Sequence, residues 1–125
     1  DYLVLNAGIM ALPKLERTAD GFEKQIGVNH FGHALLVRLL RPKLEAQESQ
    51  SRIVSLASTA HSMASSLDTG NLHYEGKASS SYSAWGAYGR SKLANVLFTR
   101  ALARRVDGRG KVACVCVHPS VIKTP

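Results

Sequence analysis

Three short apolar runs separated by two long helical patterns constrain this chain more than any other feature. The runs occupy residues 2–5, 53–57 and 112–117, and Val, Ile and Cys are prominent in the last two. Runs this short with no polar face fit strands covered on both sides of a sheet. The helical patterns fall at residues 20–46 and 83–106. Strand–helix–strand–helix–strand predicts two βαβ units. The fold class is therefore α/β, a parallel sheet of three strands lying side by side in chain order.

Thr18 or Asp20 can cap the first helix, and Asp20 with Glu23 has capping-box spacing. Phe22, Ile26, Leu36 and Leu40 fall close to one face. Gly27 and Gly32 interrupt the pattern, at about 1 kcal/mol each relative to Ala. Departures from local propensity cluster at functional positions, which singles out Asn29 and His30 between the two glycines. In the second helix Leu93, Val96, Leu97 and Leu102 make the expected apolar stripe, with Gly108 and Gly110 as the stop. Residues 58–82 are rich in Ser and too long for a structureless loop. They are expected to form a partly helical insertion on the substrate side.

The composition, 45% hydrophobic and 20% charged, excludes a disordered chain. No basic segment followed by an apolar stretch opens the sequence, and no apolar run approaches the roughly 20 residues of a bilayer span. The net charge of +7 comes from scattered Lys and Arg. The tightest group, Arg100, Arg104, Arg105, Arg109 and Lys111, reads as a solvated helix end. No aromatic residues interleave with it, so nucleic acid is not an expected partner. Cys114 and Cys116 alternate with Val and project to one side of a strand. They are expected as buried, reduced thiols, which suits an intracellular reducing compartment, in the cytoplasm or at a membrane. The chain starts inside an apolar run and stops at Pro125 without a closing element. Residues 1–125 are expected to be one partial domain cut at both ends.

Polar or backbone-shaping segments follow every strand: Asn6-Ala7-Gly8, then Ser58, then His118-Pro119-Ser120. In an open parallel sheet, ligands bind outside the carboxyl ends of the strands, so these segments converge on one edge. Tyr88 and Lys92 stand four apart, on one face of the second helix. A free phenol is a poor base at neutral pH, and a nearby ammonium favours its phenolate form. Lys92 can do this while its other donors hold a ribose hydroxyl. Tyr88 can then give a proton to a carbonyl, or take one from an alcohol, as hydride moves. Ser58 can hydrogen-bond the same oxygen. Taken alone, Tyr-x-x-x-Lys decides nothing in a chain with four Tyr and seven Lys. The conjunction with Ser58, Asn-Ala-Gly and Asn29 does.

Together these segments resemble the short-chain dehydrogenase/reductases, and within them the retinol dehydrogenase-like group. The resemblance runs through Leu5-Asn6-Ala7-Gly8, Val28-Asn29-His30-Phe31-Gly32-His33, Arg52 to Ser58, Tyr82 to Phe98, and Val117-His118-Pro119 with Thr124. It implies a Rossmann-type NAD(P)-dependent oxidoreductase, here without its Gly-rich phosphate loop. Tyr88 is then the general acid/base, Lys92 its partner and a ribose ligand, and Ser58 the residue that orients the substrate carbonyl. Asn29 supports a water-linked proton relay from Lys92. Asn6, Ala7 and Gly8 border the cofactor, and Pro119, Ile122 and Thr124 contact its carboxamide end. The implied cofactor is NADP or NAD, with NADP favoured. The implied substrate is a small-molecule carbonyl or alcohol of apolar character, such as a retinoid, steroid or lipid-derived compound. A homodimer through the two helices and a membrane attachment outside these residues are both compatible with the family.

Three departures stand out. Leu5 replaces the first Asn of the family's Asn-Asn-Ala-Gly. Ser120 replaces the usual Gly, where a Cβ crowds the nicotinamide or alters the turn. The phosphate-binding turn is missing. The last two motivate a competing reading, a truncated non-catalytic chain used as an interaction module. His30 and His33, Trp85 and the loop residues His61 and His73 are expected to serve as packing, packing and surface residues respectively. Arg90 and Ser91 read as spacers within the motif.

Overall fold

The computed structural model describes residues 1–106 and 111–120. Gly108 and Gly110, the expected helix stop, lie outside the described residues, as do Ile122 and Thr124. Strands β1 (Tyr2–Leu5), β2 (Ser51–Leu56) and β3 (Val112–Val117) form one parallel sheet in the order β1-β2-β3, as the alternating pattern requires. Leu3 lies beside Ile53, and Ile53 beside Cys114. One pleat further on, Leu5, Ser55 and Cys116 align.

A single helical stretch returns from β1 to β2. It comprises α1 (Lys24–Ile26), a π turn (Gly27–Phe31) and α2 (Gly32–Glu45). The two glycines that seemed misplaced in a helix therefore stand at the start and just past the end of a π turn, a feature frequent at functional sites. Glu23, not Thr18 or Asp20, caps the stretch. Its buried carboxylate accepts from the backbone N–H of Gln25 at 2.9 Å and of Ile26 at 2.8 Å. Thr18 instead closes the preceding turn, accepting from Phe22 N at 3.2 Å. The second crossover passes through two 3₁₀ turns, Thr59–Met63 and Gly76–Ser81, and then α3 (Ala84–Val106). The insertion is thus partly helical, as its length demanded.

Leu5, Ile53 and Val112 from the sheet meet Val37 of α2 with Leu102 and Val106 of α3 in one buried cluster. Each such side chain contributes about 1.5–3 kcal/mol relative to exposure. Both helices therefore pack on the same face. The other face carries Tyr2 at 71% and Val4 at 53% exposure, with Val115 and Val117 also open. The expected cover on both faces is not met among the described residues, because two crossovers of one hand return across the same side.

Helix phases also differ from expectation. Leu36 is exposed with Leu35 and Leu39, and Val37 points inward. Apolar residues nearly encircle α2, so their spacing cannot phase it, and packing on the sheet decides. On α3 Leu97 is exposed, while the buried face holds Ala87, Ser91, Lys92, Asn95, Thr99, Leu102 and Val106. Its half nearer the strand tips is small and polar, which a search for apolar stripes passes over.

Candidate active site

The strand tips and the start of α3 build the site. Lys92 is only 6% exposed, and its Nζ donates to the Leu56 carbonyl at 3.0 Å. Asn95 Nδ2 donates to the same carbonyl at 3.2 Å. One of the three N–H groups of Lys92 is thereby used, leaving two for the space above. Its Nζ stands 5.6 Å from the centre of the Tyr88 ring. Burial pulls the Lys92 pKa below the ordinary lysine value, and Cys116 opposes this weakly.

Ser58 follows β2 and caps the first 3₁₀ turn. Its Oγ accepts from Ala60 N at 3.2 Å, which leaves its own O–H free to donate outward. The Ser58 carbonyl is held by His61, whose Nδ1 lies 2.7 Å away and must be the donor, since a carbonyl only accepts. His61 is thus half-buried and supports the site; it is not the surface residue expected. Gly89 lets α3 lie directly on this turn, because a Cβ at that position would come 2.7 Å from the Ala60 carbonyl oxygen.

Asn29 is fully buried. Its Oδ1 accepts from Ile9 N at 2.8 Å, and its Nδ2 donates to Ile9 O and to Ser91 Oγ, both at 2.9 Å. Ser91 Oγ in turn donates to the Tyr88 carbonyl at 2.7 Å. These bonds tie the segment after β1 to α3. The Asn29 side chain is thus fully engaged in holding these segments together.

Two adjoining cavities open at this edge. The smaller, about 230 Å³, is lined by Asn6, Gly8, Ser58, Tyr88, Lys92 and Pro119 among others. Ala7, between two of these, is exposed and does not line it. The larger, about 580 Å³, shares Met10, Ser58, Tyr88, His118 and Ser120 with the first. Ser120 stands at φ +73°, in the left-handed region that favours glycine. Trp85, expected to pack on the helix, is 48% exposed and lines the larger cavity, its ring edge-on to Tyr88 at 5.9 Å.

No family model matches the chain. Human retinol dehydrogenase 11 is 46% identical over 123 residues, which is 98% of this chain and 36% of that protein. A short-chain dehydrogenase/reductase from Burkholderia phymatum in complex with NAD superposes with a TM-score of 0.64 at 29% identity, over 92% of this chain and 36% of that one. Over nearly its whole length the chain is similar in sequence and fold to short-chain dehydrogenase/reductases. A blue fluorescent protein from a metagenomic library, in complex with NADPH, gives a TM-score of 0.69 at 26% identity, over 99% of this chain and 42% of that one. The chain spans about a third of the length of the curated relatives it matches.

The sequence singled out Tyr88, Lys92, Ser58, Asn6, Gly8 and Pro119, and the structure gathers all six on one cavity. Ile122 and Thr124 fall outside the described residues. Four supporting residues were missed. Ser91 and Asn95 face inward beside the motif. Arg90 stacks 4.4 Å over the Tyr74 ring and donates to Asn71 O at 3.2 Å. Gln25 accepts from Ala11 N at 2.8 Å and donates to Tyr82 Oη and Ala84 O, both at 3.0 Å. The signal for two of them was available. Ser91, Asn95 and Thr99 recur every four residues, which is a polar stripe on one helix face. His30 and His33 do pack, with His30 Nδ1 3.1 Å from Asn95 Oδ1. Burial lowers the pKa of both.

Proposed function

We propose that this chain carries the catalytic residues of an NAD(P)-dependent oxidoreductase that interconverts a carbonyl and an alcohol on an apolar substrate. One observation carries the reading: Tyr88 and Lys92, on one helix face, share a cavity with Ser58, Gly8 and Pro119 at the carboxyl edge of a parallel sheet. The residues fit the nicotinamide–ribose end of the cofactor. Gly8 keeps the floor low, since a Cβ there would come 3.3 Å from Asn29 Oδ1 and 3.8 Å from Lys92 Nζ. Lys92 keeps two donors for the ribose hydroxyls.

A bound nicotinamide supplies or accepts the hydride. The chain's own residues handle the proton. Ser58 donates its O–H to the substrate oxygen and fixes its position. Tyr88 gives its phenolic proton to that oxygen during reduction, and takes it back during oxidation. The Lys92 ammonium stabilises the resulting phenolate. Tyr88 regains its proton from solvent through a water-linked relay that runs by way of Lys92 and that Asn29 supports. NADP is the favoured cofactor, and the resemblance to the retinol dehydrogenase-like group supports a retinoid, steroid or lipid-derived substrate. The test is Tyr88→Phe in the full-length protein. Carbonyl reduction with NADPH is expected to fall by at least about 100-fold, in line with the contribution of a positioned acid. Unchanged turnover would reject the reading.

A further inference from the structure

We infer that Met10, Met63 and Trp85 are the specificity residues of this site, forming an adaptable apolar wall for an elongated, uncharged chain whose reactive end lies at Tyr88. This rests on the proposed carbonyl–alcohol reaction and adds which residues select the substrate. The chain has two Met and one Trp in all. All three line the larger cavity, although they come from the segment after β1, the first 3₁₀ turn and the first turn of α3. They are 60%, 59% and 48% exposed, so the core has no use for their apolar surface. Isolated exposed apolar residues need no explanation, but three converging on one cavity mark a binding surface.

The chemistry of the wall says what it takes. Among the described residues, no Asp, Glu, Lys or Arg lines the larger cavity. A charged ligand would therefore lose hydration there without a counter-charge. The volume of about 580 Å³ lies within the range of pockets for drug-sized molecules, far more than a two- or three-carbon carbonyl fills. Ser58 and Tyr88 form the polar end, shared with the smaller cavity, so an apolar chain enters with its oxygen pointing at them. Two thioethers and a rigid indole lining one cavity suit chains of differing shape, because Met fills irregular gaps through three soft torsions.

Trp85 is the one tryptophan of these 125 residues, so the part of the emission change that Trp85→Phe abolishes reports ligand at the wall whether or not turnover occurs. Titrating the full-length protein with 1-decanol is expected to give a saturable change in emission, and 1-propanol none over the same concentrations. The double variant Met10→Gln, Met63→Gln should weaken decanol binding by at least 10-fold, as expected for lost apolar contact in a pocket. Both side chains are largely solvated, so its melting temperature should match that of the parent. The variant's kcat/KM ratio of decanal to propanal should fall by a similar factor. Equal responses to the two alcohols, or a double variant with unchanged decanol affinity, overturn the assignment. A protein that binds decanol at Trp85 but reduces no carbonyl keeps the wall and rejects the reaction. One that reduces propanal and decanal equally keeps the reaction and rejects the wall.

Discussion

Replacing Gly89 by Ala should separate the two halves of the site while leaving the fold standing. The new Cβ would lie 2.7 Å from the Ala60 carbonyl oxygen and 3.5 Å from Met63 Cβ. The first of these is backbone, in the turn that carries Ser58, so no flexible side chain can yield. Ordinary contact begins near 3.4 Å, so the turn must retreat by about 0.7 Å, and misplacements of this size cost on the order of 10- to 100-fold in rate. Stability changes far less. Overpacking costs about 1–3 kcal/mol, and Ala in place of Gly inside a helix returns about 1 kcal/mol. The net loss of about 0–2 kcal/mol lowers the melting temperature by only a few degrees. The assay pairs kcat for carbonyl reduction at saturating NADPH with thermal unfolding by circular dichroism. Gly86→Ala is the control, since its Cβ would meet only the Ser83 side chain, at 3.2 Å, within the same turn. It should leave kcat unchanged. Gly89→Ala with kcat within twofold of the parent would refute the claim that this close approach holds Ser58 against Tyr88.

Lys92→Met should abolish turnover yet melt no lower than the parent. It removes a buried charge, and the Leu56 carbonyl keeps its bond from Asn95. With the Lys92 pKa depressed in the folded state, the unfolded chain holds more protons as pH rises towards 10.5, so the parent gains stability there and the variant does not. His30 and His33 have the same sign in the acid range. Their pKa values lie below 6.5 when folded, so stability should fall as pH drops through 6.5. A urea midpoint equal at pH 7.5 and 5.0 would contradict this, and His30→Asn should flatten the slope. Ser120→Gly should relieve the positive φ and clear the cavity shared with the nicotinamide end, tightening NADPH severalfold by calorimetry. Weaker binding would count against that placement.

The fold was legible because the three apolar runs have no other use than strands, and the strands observed lie within two residues of them. The grouping of the candidate site was legible through a conjunction: Tyr88 with Lys92 on one helix turn, and Ser58 at the end of a strand, which the structure brings to one cavity. The supporting structure was not. His61 looked like loop surface because nothing in the spacing from Ser58 reveals a hydrogen bond to its own turn's carbonyl. Glu23 was read as half of a capping box when it is the cap itself, and the choice between them turns on where the Thr18 turn closes. The phase of α2 was lost among six apolar residues within residues 34–40, where only contact with the sheet picks out Val37.

Lys92 hangs from a main-chain oxygen of β2 and not from any side chain. No amino-acid exchange at position 56 can delete that acceptor, so the ammonium is anchored by the alignment of the strand and is indifferent to the identity of the residue there. What can dislodge it is a sliding of β2 against its neighbours by one residue, which turns every group of the strand to the opposite side. Drift in the surrounding loops can therefore reshape the cavity walls while the placement of Lys92 beside Tyr88 stays fixed by the sheet.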